Sequence, residues 1–402
     1  MPSAEELNKL AAQRDAEWRD VAQVASFWNQ ADQVDQRVFQ FTTSGRWWEI
    51  LAETGMTLLV TREYEHLVMA ISLLDDAPLM TYLSLPHPSG LAYDARRGVV
   101  HVASTRNPNQ IFDLAPVAGQ LARLDVADAP AAAPLPTRPL IPIRSRFLPG
   151  CTYLHDLALI DGVLHANSVG QNAIIRLNEN GSAERVWWPR CIDSASGPVF
   201  GQNQIQLNSI AAGANLSDSY FSSSADRITE LRPGHPQYPV DGRGVIFSGV
   251  TREPIVRGLT RPHSARLHRN RVWVDNSGYG EMGFADDGKL TPLVRLPGWT
   301  RGLVFHEQYA FVGTSRVIPR FRQYAPGLDV DQSRCGVHIV DLDAGAVLGS
   351  LFWDYGNQIF ALEWVPRQVT LGFPFDPQRQ VEREKQLFYA FTLDDTAKAR
   401  ER

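Results

Sequence analysis

Two histidines, His155 and His263, occupy matching places in two similar stretches of the chain. Around His155 the sequence reads "YLHDLALIDGVLHANSVGQ", and around His263 it reads "RPHSARLHRNRVWVDNSGYG". In both stretches the histidine opens a short apolar run, and a small polar pair closes a second run. Imidazole binds Zn²⁺ and Mn²⁺ and exchanges protons near neutral pH. If the fold brings the two rings together, they could hold a divalent metal ion or transfer a proton.

The unit that carries these histidines recurs along the chain. Each copy has a polar residue, an apolar strand, a turn, a second apolar strand and a polar pair; the copies span residues 87–106, 153–171, 206–225, 258–281, 298–316 and 358–373. The runs are short and rich in Val, Ile, Tyr and Trp, a pattern typical of all-β proteins. Repeated strand pairs whose spacers can supply outer strands predict a β-propeller of six blades.

Ring closure is predicted from an imbalance between the two ends of the repeat region. The last copy lacks outer strands, whereas residues 55–73 form a strand pair without an inner copy. We therefore predict that amino-terminal strands complete the sixth blade. The proline-rich stretch 129–150 is predicted to be a connecting loop without regular structure. A β-sandwich is the alternative, but sandwich strands do not need the polar start and polar end that the copies share.

The repeats divide the chain into three parts. Residues 1–37 are predicted to be a helical extension, because apolar residues recur there at helical spacing and Ser3 with Glu6 could form a capping box. Residues 38–377 form the predicted propeller, and residues 378–402 a charged, short helical tail. We expect the amino-terminal helix to pack on the propeller or against a second subunit, which would make a homo-oligomer.

Composition excludes several classes of partner. The net charge of −5 gives no reason to expect nucleic acid or an anionic membrane as a partner. Three widely spaced cysteines indicate neither a disulfide framework nor a zinc ribbon and fit a reducing compartment. The amino terminus carries acidic residues where a signal peptide needs an apolar stretch, and no apolar run is long enough to span a membrane. A cytoplasmic location is therefore expected.

The candidate site follows from propeller geometry, in which the first residue of each innermost strand lies at the mouth of the central channel. The leading positions are Ser89, His155, Asn208, His263, Arg301 and Gln358, with His87 just before the first. We predict a Zn²⁺ or Mn²⁺ site formed by His155, His263 and His87. The catalytic candidates are Arg301, which could clamp an anionic substrate group, and the proton-transfer groups Asp156, Tyr279 and Glu281. The substrate-binding candidates are Asn167, Asn208, Asn276, Ser277 and Gln358.

Two functions are compatible with this ring of polar residues. One is an enzyme with its site at the channel mouth, a metal-assisted lyase, isomerase, cyclase or hydrolase acting on a small polar or peptide-borne substrate. The other is a non-catalytic propeller that binds a ligand or a protein, its ring stabilising the blades. Histidine, arginine and amide side chains together exceed what blade closure needs, which favours the enzyme. The absence of a carboxylate from the leading positions counts against it.

Several long motifs give the chain a family resemblance. The segments "GLTRPHSARLHRNRVWVDNSGYGE", "RLPGWTRGLVFHEQYAFVG", "CGVHIVDLDAGAVLGSLFW" and "YLHDLALIDGVLHANS" resemble the DUF4915 family over roughly residues 38–375. The resemblance implies the propeller fold and leaves the activity open. The chain departs from the family where "QLNSIA" at 206–211 replaces "HLNGLA". Both terminal extensions lie outside the resemblance.

Overall fold

A computed structural model describes residues 3, 5–6, 9, 12, 28–31, 33–106, 109–121, 133–148, 150–201, 203–377 and 390–393. Six antiparallel sheets surround a central channel, so the predicted six-bladed β-propeller is confirmed. Among these residues no helix is long and apolar enough to cross a membrane.

The amino-terminal strands are shared between two blades. Strand β1 (Phe41–Gly45) is followed by helix α1 (Trp47–Thr54), which ends at Gly55 in the left-handed conformation with a φ of 61°. The next three strands are β2 (Met56–Arg62), β3 (Leu67–Leu74) and β4 (Ala77–Ser84). They form the outer part of blade 6.

Blades 1 to 3 follow in chain order. Blade 1 contains β5 (Pro88–Asp94), β6 (Val99–Ser104), β7 (Gln110–Leu121) and β9 (Leu140–Phe147), with the short β8 (Ala133–Pro134) beside β7. Blade 2 contains β10 (Leu154–Ile160), β11 (Val163–Ser168), β12 (Ala173–Leu177) and β13 (Ala183–Trp187). Blade 3 contains β14 (Leu207–Ala211), β15 (Tyr220–Ser223), β16 (Gly244–Ser248) and β17 (Pro254–Leu259).

Blades 4 to 6 complete the ring. Blade 4 contains β18 (Pro262–His268), β19 (Arg271–Asn276), β20 (Glu281–Asp286) and β21 (Lys289–Arg295). Blade 5 contains β22 (Trp299–His306), β23 (Tyr309–Ser315), β24 (Cys335–Asp341) and β25 (Ala346–Trp353). Strand β26 (Ala361–Pro366) is the innermost strand of blade 6. Short 3₁₀ helices span Gln36–Phe39, Val169–Gln171, Arg190–Ile192, Ser277–Tyr279, Pro319–Tyr324 and Val330–Gln332.

Ring closure occurs as predicted. Strand β26, near the end of the propeller, pairs along its length with β2, near its beginning. Strand β1 also pairs with β25 and gives blade 5 a fifth strand. Each innermost strand contacts the innermost strands of the two neighbouring blades. Apolar side chains fill the interfaces; Trp47 and Trp353 are fully buried in the cluster that joins blades 5 and 6.

The proline-rich stretch 129–150 differs from the prediction. Within it, Leu140–Phe147 is the outer strand of blade 1 and pairs with β7. Pro142 is accommodated because the strand lies at the outside of the blade and its register shifts beside the proline. An edge position tolerates the missing N–H of proline.

The two terminal segments lie mostly outside the described residues. Residues 28–31 are helical, and the ring of Trp28 meets Phe112 of blade 1 edge-on at 5.9 Å between centroids. In the carboxy-terminal segment, Ala390–Leu393 forms strand β27, which pairs with the far end of β7. These four residues are therefore extended where a helical tail was predicted.

Candidate functional site

A β-bulge sits at the start of the innermost strand in five blades. The pairing register shifts between Pro88 and Leu91, and the corresponding shifts lie at 154–157, 207–209, 263–266 and 300–303. A bulge interrupts the alternation of side chains and redirects the residue it contains. Each bulge lies at or beside a predicted leading residue. The local backbone geometry therefore sets the direction in which the leading side chains point at the channel mouth.

The chain also turns sharply two residues before most of these leading positions. His87, Tyr153, Gln206 and Arg261 have φ values of 44°, 48°, 53° and 54°, and Gly356 occupies the equivalent place before Gln358 with a φ of 103°. Such a backbone is uncommon for residues other than glycine, and strain of this kind is found where a site must be shaped. Tyr153, Gln206 and Arg261 line the channel mouth above the leading residues.

The channel mouth is a cavity of about 510 Å³. His155, His263, Arg301 and Phe360 line it and also line a much smaller cavity in the channel. These four side chains therefore form a floor that separates the mouth from the rest of the channel. Further lining residues, from the connecting segments and the start of β22, include Glu63, Tyr64, Arg106, Arg232, Trp299, Arg316, Phe321, Tyr324 and Gln358.

His263 is held in a defined orientation on this floor. Its Nδ1 lies 2.9 Å from the carbonyl oxygen of Arg261 and 2.9 Å from the hydroxyl of Ser277, which itself donates to the carbonyl of Thr300. Both neighbours accept, so Nδ1 carries the proton. Nε2 is then an acceptor, and it has no hydrogen-bond partner among the described residues. Burial and the nearby Arg301 charge hold the pKa of His263 well below its usual value.

His155 is the second neutral imidazole of the floor. Burial and the charge of Arg301 lower its pKa to about 3, so the ring is uncharged at neutral pH. Its ring meets Phe360 edge-on at 5.2 Å between centroids. Within the described part of the chain, its buried Nδ1 has no hydrogen-bond partner. A buried nitrogen without a partner costs free energy unless a ligand or water satisfies it.

A polar network links Arg301 to a buried carboxylate. The hydrogen-bond pattern orients the Gln358 amide so that its nitrogen donates to Glu63 Oε2 at 2.9 Å and its oxygen accepts from Arg301 Nη1 at 3.0 Å. Arg106 Nε donates to Glu63 Oε1 at 2.8 Å. The Arg301 guanidinium lies 3.3 Å from the centroid of the Phe360 ring. Burial lowers the pKa of Arg301 to about 10, which leaves it charged.

Glu63 stays ionised despite its burial. Burial acts to raise the pKa of this carboxyl, but the adjacent His87 ring and the charges of Arg106 and Arg301 hold it at about 2. A carboxyl group with so low a pKa is ionised near neutral pH and cannot donate a proton there. Glu63 therefore serves to fix Gln358 and Arg106 in the cavity wall.

These pKa values predict loss of stability in acid. The unfolded chain protonates His155 below pH 6.5, whereas the folded ring resists protonation until about pH 3, so stability falls as the pH drops through that window. Glu63 adds a loss between pH 4.5 and about 2, because only the folded state favours its carboxylate. In denaturant titrations from pH 7 to pH 4, the free energy of unfolding of His155→Gln should fall by about 3 kcal/mol less than that of the parent protein. An identical loss in both proteins would contradict the neutral, buried imidazole.

The predicted catalytic residue Asp156 lies in the smaller cavity and does not line the mouth. Its carboxylate makes two contacts with Arg266, at 2.7 and 3.0 Å, and accepts from the backbone N–H of Ile210 at 2.9 Å. These partners come from blades 4 and 3, so the carboxylate joins three neighbouring blades.

The predicted substrate-binding residues Asn167, Asn276 and Ser277 stand at the mouth end of their strands but do not line the cavity. Asn167 accepts from the backbone N–H groups of His155 and Asp156 and donates to the carbonyl of Leu207. Asn276 accepts from the N–H of Thr260, and Ser277 contacts His263 as described above. The polar pairs therefore position the leading residues through hydrogen bonds to the turns.

Tyr279 and Glu281, the other proton-transfer candidates, lie away from the cavity lining. The Tyr279 hydroxyl donates to Asp241 at 3.0 Å on the exposed side of blade 4. Glu281 accepts from the side chain of Asn276 at 2.9 Å. Neither the Glu281 carboxyl nor the Tyr279 phenol lines the cavity that His155 and His263 line.

The predicted metal ligands are brought together only in part. His155 and His263 share the floor, but the ring of His87 lies against His66, with centroids 4.4 Å apart, and its Nδ1 is 3.4 Å from Glu63 Oε1. Within the described residues, no group of three or more His, Cys, Asp or Glu side chains is arranged to hold a metal ion. Binding of Zn²⁺ or Mn²⁺ by these histidines stays a prediction.

The sequence interpretation missed several residues of the cavity. Glu63 follows β2 in the blade whose innermost strand comes from the other end of the chain, so no repeat copy pointed to it. Tyr153, Arg261 and Trp299 occupy the position two residues before a leading residue. The position two residues before the leading residue recurs in the aligned copies. Examining that position in each copy could have identified Tyr153, Arg261 and Trp299.

Family membership is established by the sequence itself. The pattern of the family described as Domain of unknown function (DUF4915) matches residues 45–371, most of the chain. The protein belongs to this family, and the resemblance stated from its motifs is confirmed. No match was found among curated proteins.

Solved structures with similar folds come from proteins of varied function. One is the nidogen/laminin complex, with 10% identity, a TM-score of 0.48, and coverage of 77% of this chain and 98% of that chain. A gluconolactonase from Xanthomonas campestris has 14% identity, a TM-score of 0.42, and coverage of 75% and 86%. Virginiamycin B lyase from Staphylococcus aureus, with quinupristin, has 11% identity, a TM-score of 0.38, and coverage of 78% and 99%. At these values the likenesses carry no argument about function.

Proposed function

We propose that this protein is an enzyme whose active site is the channel mouth and whose substrate is a small polar molecule with an anionic group. The observation that carries the proposal is His263, an oriented neutral imidazole whose free Nε2 shares the cavity floor with the cation of Arg301. A base and a fixed positive charge side by side suit proton removal from a substrate that develops negative charge.

Each residue of the cavity floor has its own role in the proposed proton transfer. Nε2 of His263 takes a proton from the substrate, while the hydrogen bond from Nδ1 to the Arg261 carbonyl keeps the ring in the required tautomer. Arg301 faces the charge that develops on the substrate, and Gln358 holds its guanidinium in place. The same nitrogen of His263 then returns the proton to the product or releases it to water, which restores the neutral base. His155 stays uncharged on the same floor and adds no positive charge beside Arg301. Proton abstraction of this kind serves lyases, isomerases and cyclases, and the same base can activate water in a hydrolase.

A divalent ion, Zn²⁺ or Mn²⁺, forms a second part of the proposal. His155 and His263 suit such an ion because both are uncharged near neutral pH. The buried Nδ1 of His155 has no hydrogen-bond partner among the described residues, and the hydrogen bonds of His263 to those residues use Nδ1 and leave Nε2 open. The buried amide oxygen Oδ1 of Asn208, which lines the smaller cavity beside both rings, is a third candidate ligand. An ion bound there would supply Lewis-acid chemistry to a substrate carbonyl or carboxylate. The charge of Arg301 on the same floor opposes binding.

Metal content tests that second part. After dialysis against Zn²⁺ or Mn²⁺ and removal of loose ions, elemental analysis should find about one ion per chain if the two imidazoles are ligands. His155→Ala and His263→Ala should each abolish it, whereas His235→Ala, at a surface-loop histidine outside the cavity lining, should not. If the parent protein holds no stoichiometric ion, the metal part of the proposal is wrong. The proposed base chemistry of His263 would then proceed without a metal.

Turnover of natural small molecules tests the enzyme proposal. A protein-free cell extract is incubated with the parent protein or with the His155→Gln, His263→Gln double variant, and small polar anions are followed by mass spectrometry. We expect at least one compound to be consumed by the parent protein alone. Equal profiles for both proteins would contradict an enzyme at this site.

The second candidate function is a non-catalytic binding propeller. It is supported by the hydrogen bonds that Asn167 and Asn276 make to backbone groups, which are contacts that stabilise the blades. This function requires a compound that binds in the channel mouth and is recovered unchanged. Unaltered recovery of every bound compound would establish it over the enzyme.

A further inference from the structure

The channel mouth carries more positive than negative charge. Among the described lining residues, five arginines face one carboxylate, that of Glu63; the arginines are Arg106, Arg232, Arg261, Arg301 and Arg316. Both lining histidines are neutral, so they do not add to this excess. Glu63 is already paired with Arg106 at 2.8 Å. The remaining arginines exceed the charge of a single carboxylate ligand, which indicates a ligand with more than one anionic group.

The arginines lie at two levels. Arg301 is 8% exposed and belongs to the floor, where it lines both the mouth and the smaller cavity. Arg316 and Arg232 are exposed at the rim, on the long loops of blades 5 and 3. Arg316 donates to the backbone carbonyl of Asp354 and makes no ion pair with a described carboxylate. Two separate positions for anionic groups result, one deep and one near solvent.

Aromatic side chains cover the wall between these levels. The Trp299 ring lies 5.9 Å from that of His263 on the floor and 6.4 Å from that of Tyr324, centroid to centroid. Phe321 adjoins Tyr324 at 5.7 Å. Arg261 stacks on Tyr324 at 3.8 Å and so contributes a planar face to the same wall. Such a wall binds a flat apolar body by stacking and burial of apolar area.

We propose that the channel mouth binds dianions in which a flat aromatic body separates the two anionic groups. One anionic group lies on the floor against Arg301, and the other lies at the rim against Arg316 and Arg232. The body lies along Trp299 and Tyr324. This inference rests on the proposed function only in taking the cavity as the ligand site, and it specifies the class of substrate.

Three small probes of related shape separate charge from stacking. Terephthalate has an aromatic ring and two carboxylates, benzoate has the ring and one carboxylate, and trans-cyclohexane-1,4-dicarboxylate has two carboxylates without the aromatic face. By calorimetry at low ionic strength, terephthalate should bind at least about tenfold more tightly than either of the others, since one favourable contact of about 1.4 kcal/mol gives that factor. Equal affinities for terephthalate and benzoate, or no binding of any probe, would overturn the proposal.

Variants locate the two anionic groups. Arg316→Gln should reduce terephthalate affinity to nearly that of benzoate and leave benzoate unchanged, whereas Arg301→Gln should weaken both. Arg322→Gln is the matched control, because Arg322 lies in the same loop, pairs with Asp331 and is not a lining residue. A loss at Arg322→Gln as large as that at Arg316→Gln would show a diffuse charge effect and overturn the two-level arrangement.

Failure of this inference can be told apart from failure of the enzyme proposal. If the probes bind as expected and the extract contains no compound that is turned over, the dianion site stands and the enzyme proposal fails. If the parent protein consumes only singly charged anions in the extract, the enzyme proposal stands and the dianion inference is overturned.

Discussion

His263→Gln is expected to lower turnover by about 10²–10⁴-fold, the usual contribution of a general base. Terephthalate affinity should change much less, because the contacts of the probe with Arg301, Arg316 and the aromatic wall remain. The amide of glutamine can still donate to the Arg261 carbonyl, so the loop stays in place while the basic Nε2 is lost. Turnover of the compound identified in the extract and calorimetry of terephthalate, measured on the same preparation, check both statements.

Two variants show whether that loss is specific. His235→Gln, outside the cavity lining, should retain full turnover and full stability. Arg301→Gln should reduce both turnover and probe affinity, because Arg301 contacts the anionic group in the ground state as well as the transition state. If His263→Gln instead retains most of the activity, another group must be the base, and the role assigned to this imidazole is wrong.

Removing residues 1–75 is expected to abolish cooperative unfolding of the whole propeller. The deletion takes away β1, β2 and β3, so β26 loses its partner and the ring between blades 5 and 6 opens. It also removes Trp47 and the rest of α1 from the core cluster that joins these blades. Unpaired strand edges and a divided core should give an aggregating product without a sharp thermal transition.

The matched control removes residues 1–35 only. This deletion leaves every strand of the six blades in place, so cooperative unfolding should be retained, with a modest loss from the Trp28 contact with Phe112. Calorimetry and circular dichroism compare the two truncations. A sharp, reversible transition after removal of residues 1–75 would mean that the amino-terminal strands are dispensable, which contradicts ring closure.

Much of the fold could be predicted from the sequence because the repeating unit is also the folding unit. A strand, a turn and a second strand recur because each blade must present the same two strands to the channel. The unmatched strand pair at 55–73 then predicted the closure that β2 and β26 make. The outer strand Leu140–Phe147 escaped prediction because its proline suggested a loop, and only the edge position in the blade makes that proline acceptable.

The candidate site could be predicted less completely, for two physical reasons. The leading residues His155, His263 and Arg301 were found because the repeat fixes their place on the innermost strands. Asp156 follows His155 directly, but the bulge lets it face Arg266 across the channel, which sequence spacing does not show. Glu63 lies far from the other site residues in the chain, and only ring closure brings it to Gln358.

The central claim is that two uncharged imidazoles stand beside a charged arginine at the channel mouth. Selective ¹⁵N labelling of histidine rings, with signals assigned through His155→Gln and His263→Gln, measures their charge and tautomer directly. We predict that neither ring titrates between pH 5 and 8 and that His263 shows a protonated Nδ1 and an unprotonated Nε2. Titration of either ring near its usual pKa of 6.5, or a proton on Nε2 of His263, would contradict the account.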